Sequence, residues 1–134
     1  MKNKICIVAA NYYPKISKNL IDGATKILRE HGFNNYKIFK LPGIFELPFV
    51  ITKNINKYDG FIALGCVIKG QTPHFEFISQ ATINSIMDLS IRHKIPIGNG
   101  IITSLNKKQA TDRSSSKKNK GKESALALIS LLKI

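Results

Sequence analysis

Ile5-Cys6-Ile7-Val8-Ala9-Ala10 is an unbroken apolar run close to the start of the chain, and it constrains the fold more than any other feature. A strand with one wet face alternates apolar and polar residues. A short continuous run is a strand buried on both faces, the mark of a parallel sheet covered by helices on either side. The rest of the chain supplies those helices and the further strands. From Ile16 to His31 the residues Ile16, Leu20, Ile21, Ala24, Ile27 and Leu28 recur at helical spacing, and Gly32 follows as a stop. Tyr36 to Leu41 reads as a second strand closed by Pro42-Gly43. Phe45 to Lys57 reads as a helix whose Pro48 must lie in its first turn, with Glu46 favourable to its positive end.

Tyr58 to Gly65 is the third expected strand. A loop from Cys66 to Thr72 leads into a helix from Pro73 to about His93, with Thr72 as N-cap and Pro73 as first helical residue. A fourth strand is expected from Pro96 to Thr103, and its Gly98 and Gly100 point to close approach of another chain segment or a ligand. A short helix from about Asn106 to Asp112, a polar stretch from Arg113 to Lys122 and an apolar C-terminal helix complete the chain. At 134 residues this is one domain. The alternation predicts an α/β fold of three layers, α/β/α, around a four-stranded parallel sheet. Ligands of such sheets bind beyond the carboxyl ends of the strands, which directs attention to Asn11–Tyr13, Pro42–Glu46, Cys66–His74 and Asn99–Ser104.

Charge narrows the partners without choosing one. Lys plus Arg number 21 against 8 Asp plus Glu, a net +13, and only Arg29, Arg92 and Arg113 are arginines. The excess suits nucleic acid, a membrane surface or a phosphorylated small molecule. No helix-turn-helix, zinc-finger or RNA-recognition signature accompanies it, and no aromatics interleave the basic stretch. Apolar runs fall well short of the roughly 20 residues of a membrane span. The start, Met1-Lys2-Asn3-Lys4, leads into an apolar run too short for a signal peptide. Cys6 and Cys66 lie in or beside apolar runs, as in a reduced cytoplasmic protein. Neither a Walker loop nor metal-ligand spacing is present.

Within the expected loops, His74 stands at a helix start, where free N–H groups and the dipole favour a phosphate. Imidazole is the side chain suited to exchanging protons near pH 7; the bland alternative is a surface histidine on a capped helix. Tyr12 and Phe45 suit stacking on a flat heterocycle and Glu46 suits its hydrogen-bond donors, although Phe45 also reads as core. Cys66 reads as packing rather than a nucleophile. Arg113 to Lys122, Arg-Ser-Ser-Ser-Lys-Lys-Asn-Lys-Gly-Lys, suits a phosphate or a mobile solvated loop.

Three segments together carry a resemblance: Leu41-Pro42-Gly43-Ile44-Phe45-Glu46-Leu47-Pro48; Leu64 to Glu76, reading Leu-Gly-Cys-Val-Ile-Lys-Gly-Gln-Thr-Pro-His-Phe-Glu; and Gln109-Ala110-Thr111-Asp112-Arg113 followed by Asn119-Lys120-Gly121. In this order and spacing they resemble the 6,7-dimethyl-8-ribityllumazine synthase family from about Ile5 to the C-terminal helix. The resemblance implies a flavodoxin-like topology. It also implies condensation of 5-amino-6-(D-ribitylamino)uracil with 3,4-dihydroxy-2-butanone 4-phosphate, with no metal or cofactor and with small molecules rather than nucleic acid or membrane as partners.

By position, the resemblance implies that Tyr12 stacks on the pyrimidine and that Ile44, Phe45 and Glu46 hold the ring and ribityl chain. It assigns the backbone edge read by the pyrimidine to Cys66, Val67 and Ile68, and phosphate contacts to Gln71 and Thr72. His74 falls on the proton-transfer histidine, and Arg113 on the phosphate-binding arginine supplied across a subunit interface. Asn99 stands among the pyrimidine-side residues where many members carry an aromatic. The stretch Ser114 to Lys118 is one residue shorter than the common form, around Lys117 and Lys120. Homo-oligomers are implied, pentamers or multiples of them, with sites between neighbours. The few residues from Met1 to about Lys4 lead us to expect pentamers more than closed shells. A flavodoxin-type flavin-binding module and a basic nucleic-acid-binding protein are the rival readings.

Overall fold

The computed structural model describes residues 3–134; Met1 and Lys2, on which the expectation about closed shells partly rests, lie outside the described residues. The strands are β1 (Ile5–Ala10), β2 (Tyr36–Leu41), β3 (Gly60–Ile68) and β4 (Ile97–Ser104). All pairings are parallel, in the order β2-β1-β3-β4. The helices are α1 (Pro14–Glu30), α2 (Leu47–Lys53), α3 (His74–His93), α4 (Lys107–Arg113) and α5 (Lys120–Leu132), with a 3-10 turn over Ile44–Glu46. This is the three-layer, flavodoxin-like arrangement.

Period-two alternation along β1 divides the core. Ile5, Ile7 and Ala9 join Leu20, Ala24, Leu28 and Leu128 beneath α1 and α5. Cys6, Val8 and Ala10 join Leu47, Ile51 and Ile86 beneath α2 and α3. Both faces of β1 are dry, as its uninterrupted apolar run requires. Gly32 ends the first helical segment with a φ of +84°, a conformation that favours glycine.

Several boundaries differ from expectation for local reasons. Helix α2 is shorter than Phe45–Lys57: Pro48 lacks an N–H and holds the start at Leu47, while the Asn54 amide donates to the Val50 carbonyl at 2.8 Å and closes the end. Strand β3 does not stop at Gly65, because Gly65 to Ile68 continue to pair with Ile101 to Ser104 of β4. Helix α3 begins at His74 rather than Pro73. Pro73 occupies the cap position, and the Thr72 hydroxyl accepts the His74 N–H at a long 3.4 Å. Helix α5 takes in Lys120 to Lys122, with Asn119 as its cap. Glycine in β4 serves a chain segment: a Cβ on Gly98 would collide with the Ser124 carbonyl of α5.

Helix α3 is the least covered of the helices. Only Thr82 and Ile86 of its 20 residues are buried, while Phe77 and Ile91 are 68% and 69% exposed. Among the described residues, no helix is long and apolar enough to cross a membrane.

Candidate active site

The register brings the carboxyl ends of the first three strands together. Ala10 pairs with Leu41, Ala9 with Leu64, and the Asn11 N–H donates to the Leu41 carbonyl at 2.7 Å. At these ends lies an open cleft of about 640 Å³. Strand β3 runs past its neighbour here: beyond Leu64 it has β4 on one side and no partner from β1 on the other. Alternate N–H and C=O groups of the Cys66–Ile68 stretch therefore face the cleft with no strand to take them. A flat heterocycle with its own donors and acceptors can bind there as a strand would.

The walls are built from local chemistry. The 3-10 turn is closed by Glu46, whose Oε1 accepts the Gly43 N–H at 2.9 Å. Ile44 is buried against Gly65, where a Cβ would stand 2.7 Å from Ile44 Cγ2. That close fit seats the turn on the sheet and turns Phe45 outward. Tyr12 and Phe45 are 71% and 69% exposed. Two large aromatics left in water beside a cleft are free to stack on a ring. His74 and, one helical turn on, Ile78 close the α3 side.

Cys66 is buried in the floor, and burial pushes its thiol up to about 11. At neutral pH it is a thiol, and it packs rather than attacks. The neighbouring Tyr13 phenol is also raised, chiefly by burial. No cluster of side chains able to hold a metal occurs among the described residues.

The cleft gathers Tyr12, Ile44, Phe45, Glu46, Cys66, Val67, Ile68 and His74. It does not gather the others. Gln71 and Thr72 lie in the exposed turn before α3. Asn99 is exposed on the edge strand β4, with its Oδ1 accepting the Ile101 N–H at 3.0 Å. Arg113 ends α4 on the β4 side of the sheet, where its Nη1 donates to the Thr103 carbonyl at 3.4 Å. Lys117 is exposed, and the Lys120 ammonium lies 3.8 Å from Glu123. Tyr13, Pro42, Gly43 and Ile78 also line the cleft. The first three fall in segments marked out by the strand ends; Ile78 was legible only from its four-residue spacing to His74.

The sequence profile of the 6,7-dimethyl-8-ribityllumazine synthase family matches residues 2–134. The chain belongs to this family. It is similar to the 6,7-dimethyl-8-ribityllumazine synthase of Bartonella bacilliformis, 41% identical over 138 residues, covering 96% of this chain and 90% of that protein. The enzyme of the same name from Nitratidesulfovibrio vulgaris is 40% identical over 136 residues, covering 98% and 87%. That of Renibacterium salmoninarum is 36% identical over 135 residues, covering 94% and 85%. Family membership leaves the flavin-carrier and nucleic-acid readings without support of their own.

Proposed function

We propose that the cleft is the pyrimidine half of a composite active site, completed by Arg113 and Asn99 of a neighbouring copy of the chain. The reaction is that of the family. As a transferase of riboflavin biosynthesis, the chain condenses 5-amino-6-(D-ribitylamino)uracil with 3,4-dihydroxy-2-butanone 4-phosphate to 6,7-dimethyl-8-ribityllumazine, releasing phosphate and water. The observation that carries the site assignment is the unpaired edge of β3 at Cys66–Ile68, flanked by Tyr12, Phe45, Glu46 and His74.

The chemistry fits these groups. The pyrimidine amine attacks the ketone, phosphate leaves, and the ring closes through successive proton transfers. The β3 backbone edge holds the ring, Tyr12 and Phe45 stack on it, and Glu46 accepts from the ring or ribityl hydroxyls. His74 moves protons, a contribution of about 10²–10⁴-fold for general acid–base catalysis. Gln71, Thr72 and Arg113 take the phosphate, the guanidinium in a bidentate pair. Holding two substrates in register contributes more, up to about 7–11 kcal/mol for ideal orientation.

The exposed apolar face of α3 supports assembly of copies, read here as pentamers or pairs of pentamers. Both cysteines are free and buried, which supports a cytoplasmic location. The deciding experiment mixes purified protein with both substrates and follows the fluorescent product. Arg113→Ala should raise the Michaelis constant for the phosphate substrate far more than that for the pyrimidine. Equal changes in both would refute the assignment of Arg113. Closed shells as the main species in electron micrographs would refute the pentamer.

A further inference from the structure

The segment behind Arg113 is not the loose basic loop that its composition suggests. Ser114 Oγ donates to the Thr111 carbonyl at 3.0 Å, Ser115 Oγ to the Asp112 carbonyl at 2.6 Å, and the Lys118 N–H to Ser115 Oγ at 3.4 Å. These bonds fold the segment on itself. Among the described residues the Arg113 side chain has one hydrogen bond, a long 3.4 Å donation to the Thr103 carbonyl, so the place of the guanidinium depends on the backbone that carries it.

Asn119 joins the segment to the body of the fold. It is 6% exposed, and its amide works in three directions. Oδ1 accepts the Lys122 N–H at 3.1 Å and caps α5. Nδ2 donates to the Asn19 carbonyl of α1 at 2.9 Å and to the Ser114 carbonyl at 3.1 Å. Ser114 is the residue next to Arg113 and is itself buried. One turn along α1 from Asn19, Gly23 leaves room for this amide; a Cβ there would overlap it. A cap needs only the oxygen. The two donations tie the backbone beside Arg113 to α1, and through α1 to the sheet.

We infer that Asn119 is a positioning residue for the reaction, holding the Arg113 guanidinium where the phosphate substrate meets it. The inference rests on the assignment of Arg113 as the phosphate ligand. It makes the precision of a site residue depend on a side chain that touches no substrate, as positioning by a supporting shell requires.

Asn119→Asp separates positioning from capping. Asp caps a helix about as well as Asn, and it keeps the size and the oxygen. It loses both donors and sets an oxygen against two carbonyls. Steady-state kinetics on the assembled protein should show the Michaelis constant for the phosphate substrate rising by about ten- to a hundred-fold, with that for the pyrimidine within about twofold of the parent. Thermal midpoint and assembly size are measured alongside. Asn119→Ser, which keeps a cap but is too short to reach Asn19, is read in the same way if the Asp variant does not assemble. Unchanged phosphate kinetics in a variant whose Arg113→Ala counterpart is impaired would overturn the positioning role alone. An Arg113→Ala variant with a normal Michaelis constant for the phosphate substrate would overturn the assignment of Arg113 and this inference with it. Equal changes in both Michaelis constants, or loss of assembly in both Asn119 variants, would reduce Asn119 to a structural cap.

Discussion

Two impaired variants of this chain, mixed into one assembly, should recover about a quarter of the parent's activity. The cleft is lined by His74 but not by Arg113, which stands on the β4 side of the sheet against Thr103. The proposed composite site takes the imidazole from one subunit and the guanidinium from the next. In a ring assembled at random from equal amounts of His74→Ala and Arg113→Ala chains, a site is intact when its cleft belongs to an Arg113→Ala chain and its neighbour is a His74→Ala chain. Each condition has an even chance, so about one site in four is whole. The His74→Ala parent alone should keep about a hundredth of normal activity, since it forfeits acid–base help and retains orientation. The assay co-expresses the two chains with different affinity tags, isolates doubly tagged assemblies, and follows product fluorescence with the phosphate substrate held below saturation. Activity equal to the mean of the two parents would show that no site is shared between chains.

Alkaline stability should depend on Cys6, whose burial raises the thiol from 9.0 to about 12 against the opposing pull of Lys37. The native state keeps the proton that the unfolded chain gives up, so the contribution is whole below pH 9 and is lost as pH rises toward 12. It amounts to on the order of 4 kcal/mol. Urea midpoints of the parent should fall more steeply above pH 9 than those of Cys6→Ala, and parallel slopes would refute this. Gly98→Ala should cost about 1–3 kcal/mol, at the upper end because the obstacle is the Ser124 backbone carbonyl rather than a yielding side chain. Gly70→Ala, with open space around it, should leave the unfolding free energy from urea titration within about 0.5 kcal/mol of the parent. Similar losses in the two variants would contradict the packing of α5 on β4.

Legibility followed the range of the forces involved. Strands β1 and β2 match their apolar patterns residue for residue, because burial on a sheet acts on each residue where it stands. The end of β3 was not legible: Cys66 to Ile68 are strand only because β4, distant in the chain, lies beside them. That stretch, which the motif names without showing it as strand, is also the unpaired edge that lines the cleft. The end of α2 turned on one asparagine side chain bonding four residues back, a choice that helical periodicity does not record. The motif segments located the residues of the cleft, whereas Asn99 and Arg113 lie away from it in the chain. Asn119 stood in one of the motif segments, yet neither its burial nor its bond to α1 was legible there. In a run of lysines and serines, nothing marks the one amide that is buried.

In the single chain, α3 holds Phe77, Met87 and Ile91 in water. Apolar faces of that kind make random collisions adhesive. The chain's net charge of +13 works against this hazard. Nearly all of it is lysine, a strongly hydrated charge on a flexible stem, and like-charged chains repel out to about 8 Å at physiological salt. Such repulsion turns away ill-fitting encounters and yields to a contact that buries the whole face at once. The lysines then act as a colloidal guard over the exposed face of α3.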